Sequence, residues 1–198
     1  MKLYGSLRSR ASRVMWLLEE LGVPYEHDPV EPRSEAARSD PYLRLNPAGK
    51  VPTLQIDNFV VTESLAINLW LAQRNGPPFW PADPLQQAHV LQWTLWQSAE
   101  LEPVTSGIGK AMRTGAPDAE RIVAENLAAV AALLALVEVQ LNRSMHLAGD
   151  AFTVADLNLA SLLMYAPPFS IDLSPFPKIC AWLALTTARP AHRKLFVA

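Results

Sequence analysis

Residues 1–18 carry Lys2, Arg8, Arg10 and Arg13 and no acidic side chain, with Ser6, Ser9 and Ser12 set among them. A strand-like start over residues 1–5 gives way there to a helical pattern. Helix amides without partners, a partial positive charge and guanidinium groups together favour an anion at that turn. A second such place is Glu63-Ser64, which precedes another helical pattern. Its hydroxyl and amides suit a carboxylate, and the Glu63 carboxylate suits an ammonium group. On the residues alone, an N-cap with an acidic neighbour is the better explanation of the pair. Lys50 stands in the loop before a strand, as an anion contact or as a solvated lysine.

Other chemistries find less support. His27, His89, His146 and His192 are scattered without metal-ligand spacing, and no metal is expected. Cys180 is the one cysteine, so neither an internal disulfide nor a CxxC pair can form. It is expected to be a buried, inert thiol beside Trp182. The formal charge of −2 gives no basic field for nucleic acid. Residues 127–137, the longest apolar run without a charge, fall short of the ~20 residues of a membrane span. With 50% hydrophobic and 18% charged residues, the chain reads as a globular, cytoplasmic protein with no membrane partner.

The elements that must position these residues change character near residue 76. Strands are expected at 1–5, 23–30, 51–56 and 59–62, and helices at 10–22, 34–45 and 64–73. In the first helix Val14, Leu17, Leu18 and Leu21 form one face, and Gly22 stands at the C′ position. Asp57-Asn58 marks a hairpin. The order is βαβαββα, with a parallel crossover in its first half. Residues 77–84 contain four of the 17 prolines and read as a linker. Beyond it, residues 85–198 show helices only, at 85–99, 118–141, 153–165 and 175–187. Thr153 and Asp156 form a capping box, with Phe152 and Leu157 as its hydrophobic staple.

Four stretches carry a resemblance: Ser9 ahead of Arg13-Val14; Asn46-Pro47-Ala48-Gly49-Lys50-Val51-Pro52-Thr53-Leu54; Glu63-Ser64-Leu65-Ala66-Ile67; and Phe152-Thr153-Val154-Ala155-Asp156. In this order, with the domain change between the third and fourth, they resemble the glutathione S-transferase superfamily, in its bacterial, serine-type cytosolic form. The resemblance spans essentially the whole chain. It implies a fold of α/β plus all-α type: a thioredoxin-like domain over residues 1–76, then an all-helical domain over 85–198, in a homodimer.

The resemblance also implies roles. Glutathione is the co-substrate. Val51 presents its backbone to the cysteinyl part through a cis Val51–Pro52 bond. Ser64 takes the γ-glutamyl carboxylate, Glu63 the ammonium group, and Lys50 the glycine carboxylate. Ser9 stabilises the thiolate by donating a hydrogen bond. Ser12 is the runner-up, followed by Arg10 or backbone amides alone, while Tyr4 is a distant alternative. A free thiol with pKa near 8.5 is only a few per cent ionised at neutral pH, and lowering it by two units takes about 2.7 kcal/mol. One hydrogen bond to a charged group supplies about 1.5–3 kcal/mol. The thiolate then attacks a small apolar electrophile, in a pocket between the domains for which Leu7, Ile108 and Met112 are candidates. Glutathione-dependent isomerisation or peroxide reduction is the enzymatic alternative. A transferase-like protein that binds ligands or partners without turnover is the other.

Overall fold

A computed structural model of the chain describes residues 1–115, 117–164 and 171–197. The chain divides into two compact units. One is Met1–Trp80 together with the residues from Arg189 onward; the other is Pro81–Ala188.

The first unit is built on a four-stranded mixed sheet of β1 (Lys2–Tyr4), β2 (Glu26–Asp28), β3 (Thr53–Ile56) and β4 (Phe59–Thr62), in the order β2-β1-β3-β4. β1 pairs parallel to β2, with Leu3 opposite His27, and antiparallel to β3, with Leu3 opposite Leu54. Between β1 and β2 runs α1 (Ala11–Leu21), closed by Gly22 at φ 62°. The expected helix over 34–45 is broken in two. A single 3-10 turn (Ala36–Arg38) precedes α2 (Asp40–Leu45), with Ser39 extended between them. Pro41 is the cause: its missing N–H and its ring exclude a continuous helix, but both fit a first turn. α3 (Ser64–Asn75) follows the β3–β4 hairpin.

α1 is more buried than one apolar stripe requires, because every residue from Ala11 to Leu18 is covered. The cover includes α9 (Pro190–Phe196), an element that the sequence reading left inside the helical domain. Its His192 packs edge-on to Trp16 at 4.7 Å. Just before α9, Arg189 donates from Nε and Nη2 to the two Glu20 oxygens, each at 2.7 Å. Lys194 reaches Glu19 at 2.6 Å.

The second unit, over its described residues, is helical: α4 (Pro84–Trp96), a π-helical turn (Gln97–Leu101), α5 (Glu102–Thr114), α6 (Ala119–Leu141), α7 (Val154–Met164) and α8 (Pro177–Thr187). The end expected for α7 at Tyr165 lies outside the described residues. α5 escapes a sequence reading because Pro103, Gly107 and Gly109 look like breakers. Pro103 stands in the first turn, where no helical hydrogen bond is lost. At Gly107 a Cβ would stand 3.3 Å from the Asn126 side chain of α6, so the glycine permits a close approach. By length and composition α6 could cross a membrane. It carries Glu120, Arg121, Glu125 and Glu138, and it packs Val130, Leu134, Val137 and Leu141 inward.

Two carboxylates organise this unit. Glu138 accepts from the amides of Lys178 and Ile179, both at 2.9 Å, and so caps α8 from α6. Asp156, fully buried, accepts from the Leu147 amide (2.9 Å), Trp182 Nε1 (3.0 Å), and the Thr153 amide and hydroxyl (2.9 Å each). The capping box thus reaches beyond its own helix. Cys180 is exposed rather than buried. α8 turns Ile179, Trp182 and Thr186 inward, which leaves residue 180 off that stripe, where its thiol donates to the Leu173 carbonyl at 3.2 Å.

Asp156→Ala strands these buried donors, at about 1–3 kcal/mol each. Urea unfolding should show a loss on the order of 4 kcal/mol.

Candidate active site

The site is assembled inside the first unit, around the loop that enters β3. Asn46 pins it: Nδ2 donates to the Lys50 carbonyl (2.8 Å) and to Thr53 Oγ1 (3.1 Å), and Oδ1 accepts from the Ala48 amide (3.1 Å). The Tyr42 hydroxyl donates to the same Lys50 carbonyl at 2.5 Å and meets Thr53 Oγ1 at 2.9 Å. Tyr42 has one proton to give, so Thr53 donates in the second contact. Burial pushes the Tyr42 hydroxyl above the ordinary 10.0. Gly49, at φ 60°, makes the turn, and the Val51–Pro52 bond that follows is cis, as the resemblance implies.

Opposite this loop, β4 ends at Thr62 and the chain swings into α3 through Glu63. Glu63 has φ 68° and ψ 111°, a left-handed conformation that non-glycine residues adopt at a cost of about 1–3 kcal/mol. The swing leaves Glu63 exposed and Ser64 buried at the first turn of α3. Lys50, Val51, Pro52, Glu63 and Ser64 line one cleft, together with Asn46, Ala48 and Thr62. Arg10, from the entry to α1, lines it too. The cleft therefore offers two cations, one carboxylate and a helix N-terminus, a charge pattern complementary to a zwitterionic, multiply anionic ligand.

Ser9 sits one residue before Arg10 and is 7% exposed. Its hydroxyl donates to the Ser6 carbonyl at 2.8 Å and accepts from the Ala11 amide at 3.1 Å. The Ser9 and Ser12 amides close successive turns onto the Ser6 and Ser9 carbonyls. Ser12 lies inside α1, 1% exposed, and its hydroxyl has no hydrogen-bond partner among the described residues. Gly5 makes this tight entry possible. At φ 137°, a Cβ on it would fall 2.6 Å from that of Ala11. Tyr4 is occupied elsewhere, donating to Gln55 at 2.9 Å and packing edge-on against Tyr42. Leu7 and Met112 are exposed, while Ile108 is fully buried in α5. The sequence reading passed over Tyr42. Nothing in the spacing of Tyr42 announces a residue that buttresses a loop eight positions away. Among the described residues no group of three or more His, Cys, Asp or Glu is placed to hold a metal ion.

Two family models match the chain. The model described as glutathione S-transferase, N-terminal domain, matches residues 1–73, and that of the C-terminal domain matches residues 101–190. A probable glutathione S-transferase of Oryza sativa subsp. japonica is 31% identical, over 98% of this chain and 95% of its own. The chain belongs to the glutathione S-transferase family. A probable maleylacetoacetate isomerase of Caenorhabditis elegans is 34% identical over 89% of this chain and 84% of its own. Among solved structures, the theta class glutathione S-transferase of Xanthomonas axonopodis pv. citri, with glutathione bound, is 27% identical. It superposes with a TM-score of 0.87, covering 100% of this chain and 97% of that one. The thioredoxin-like unit and the helical unit of this transferase are those of its family.

The raised Tyr42 pKa carries a sign. A hydroxyl held above its unfolded value contributes stability below pH 10.0 and loses it as pH climbs through the folded value. Tyr42→Phe should cost about 1 kcal/mol at neutral pH. Its deficit against wild type should shrink in urea unfolding above pH 10.0. A deficit that stays constant across that range would contradict the assignment.

Proposed function

We propose that this enzyme conjugates glutathione to small apolar electrophiles. The observation that carries the reading is the gathering of Lys50, Val51, Glu63 and Ser64 around one cleft at the first turn of α3. In this reading Ser64 and the α3 amides hold the γ-glutamyl carboxylate, and Glu63 holds its ammonium group. The Val51 backbone, ahead of Pro52, pairs with the cysteinyl unit, and Lys50 meets the glycine carboxylate. The sulfur then lies at the entry to α1. Ser9 turns its proton from the Ser6 carbonyl to the sulfur, and that carbonyl keeps the Ser9 amide as a donor. The thiolate attacks an electrophilic carbon, a sulfur–carbon bond forms, and the leaving group departs with the electron pair. The thiol proton goes to solvent. Ionisation and orientation together supply the rate. Leu7, in the turn before α1, supplies exposed apolar surface for the electrophile.

The 34% identical probable isomerase favours a second reading, in which the same thiolate adds to a double bond and leaves again after rotation. A panel of halogenated aromatics, enones and cis-alkenoic acids separates the two. Turnover without glutathione consumption marks the isomerase, and binding to immobilised glutathione without any turnover marks a non-catalytic protein.

We also infer a homodimer. In α4, Leu85, Leu91 and Leu95 are 75%, 40% and 63% exposed, in line with exposed Ala88 and Ala99. An apolar stripe of this kind suits a protein partner surface. A Leu91→Glu, Leu95→Glu double variant should sediment as a monomer where the wild type sediments as a dimer.

Ser9→Ala should return the bound thiol towards its solution pKa near 8.5, lowering kcat/KM at pH 7 about 20-fold. Glutathione affinity should stay within about twofold, because the carboxylate contacts remain. Ser12→Ala and Arg10→Gln, assayed alongside, identify the activator if Ser9→Ala leaves the rate unchanged.

A further inference from the structure

The turn that presents Ser9 is tethered from a distance. Ser6, 4% exposed, donates its hydroxyl to Glu31 Oε2 at 2.9 Å, across 25 residues of sequence. Glu31 follows β2 and is itself anchored. Its carbonyl accepts the Ser34 hydroxyl at 2.7 Å and the Ser34 amide at 3.2 Å. The Ser34 hydroxyl in turn accepts from the Ala37 amide at 3.2 Å. On the other side of Ser6, the main-chain carbonyl receives both the hydroxyl and the amide of Ser9, at 2.8 and 3.1 Å. One residue is thus gripped by Glu31 through its side chain and grips Ser9 through its backbone.

We infer that Glu31 is a positioning residue for thiol activation: its carboxylate fixes Ser6, and the Ser6 carbonyl fixes the hydroxyl of Ser9 at the entry to α1. The inference rests on the assignment of Ser9 above. A hydroxyl whose resting acceptor is immobile swings through one torsion to reach the sulfur. A hydroxyl on a loose turn must be ordered first, which takes part of the hydrogen-bond energy that would stabilise the anion. The charge of Glu31 acts in the opposite sense. A carboxylate near a forming thiolate disfavours it. Positioning and charge therefore move the thiol pKa in opposite directions when Glu31 is replaced, and the sign of the shift separates them.

The experiment measures the pH profile of kcat/KM, with kcat and the glutathione KM separately, for wild type, Glu31→Ala, Glu31→Gln, Ser6→Ala and Ser9→Ala. Thermal unfolding of each checks the fold. Glu31→Ala should raise the apparent thiol pKa and lower kcat/KM at neutral pH about fivefold, the equivalent of one net hydrogen bond of about 1 kcal/mol. The loss should fall on kcat, with the glutathione KM little changed. Glu31→Gln keeps an oxygen that accepts from Ser6 and should recover most of the activity. Ser6→Ala, which deletes the donor, should reproduce Glu31→Ala. Glu31→Ala should add nothing on a Ser9→Ala background, because both act through one hydroxyl. A Glu31→Ala enzyme whose thiol pKa is unchanged or falls overturns the inference. So do equal losses in the alanine and glutamine variants. An unaltered rate in Ser9→Ala removes the underlying assignment instead, and the two failures are told apart by that variant alone.

Discussion

The cleft depends on how one carbonyl is held. The Lys50 oxygen receives both the Asn46 amide and the Tyr42 hydroxyl, and Thr53 closes the ring by linking those two side chains. A loop residue's carbonyl would ordinarily turn to water. Here it is fixed from two elements, α2 and the turn after it, so the backbone of residues 50–52 enters β3 in one orientation. That orientation decides what Val51 can offer a ligand and where the Lys50 side chain emerges. Four neutral hydrogen bonds of modest individual worth gain by being mutually supporting in a buried setting.

The opposite wall is set by torsion rather than by hydrogen bonding. The left-handed Glu63 brings the chain from β4 into α3 without an intervening loop, and this places Ser64 at the mouth of the helix. A glycine would adopt the conformation freely but would bring no carboxylate. The two walls meet the entry to α1, where Gly5 lets strand and helix approach to a distance that excludes a side chain. Each wall therefore combines a local backbone constraint with a charged or hydrogen-bonding group whose position follows from it.

Much of this was legible in the chain. The period of Val14, Leu17 and Leu18, with Gly22 behind them, gave α1 within a residue at each end. The hairpin and the start of α3 followed from Asp57-Asn58 and Glu63-Ser64. What escaped did so for physical reasons. α5 escaped because proline and two glycines are breakers by propensity, whereas position in the first turn and packing on α6 decide. The break in the second helix followed from Pro41 and could have been seen. Cys180 was placed inward by the apolarity of its helix as a whole, when the inward stripe runs through Ile179, Trp182 and Thr186. Tyr42 and Glu31 act across the fold through contacts that no local pattern encodes, so they appear only once the strands are paired. The hydroxyl of Ser9 was expected to face a ligand; in the structure it first serves the helix entry, and the two duties share one proton donor.

The return of α9 to the first unit has a consequence for synthesis. Trp16 acquires its His192 and Phe196 neighbours only after the helices of the second unit have been made. During vectorial translation the sheet and α1 emerge early but remain without that lid while the intervening helices are made. Nascent chains of this protein should therefore hold an unsealed apolar face until α9 emerges, a period in which chaperone engagement matters most.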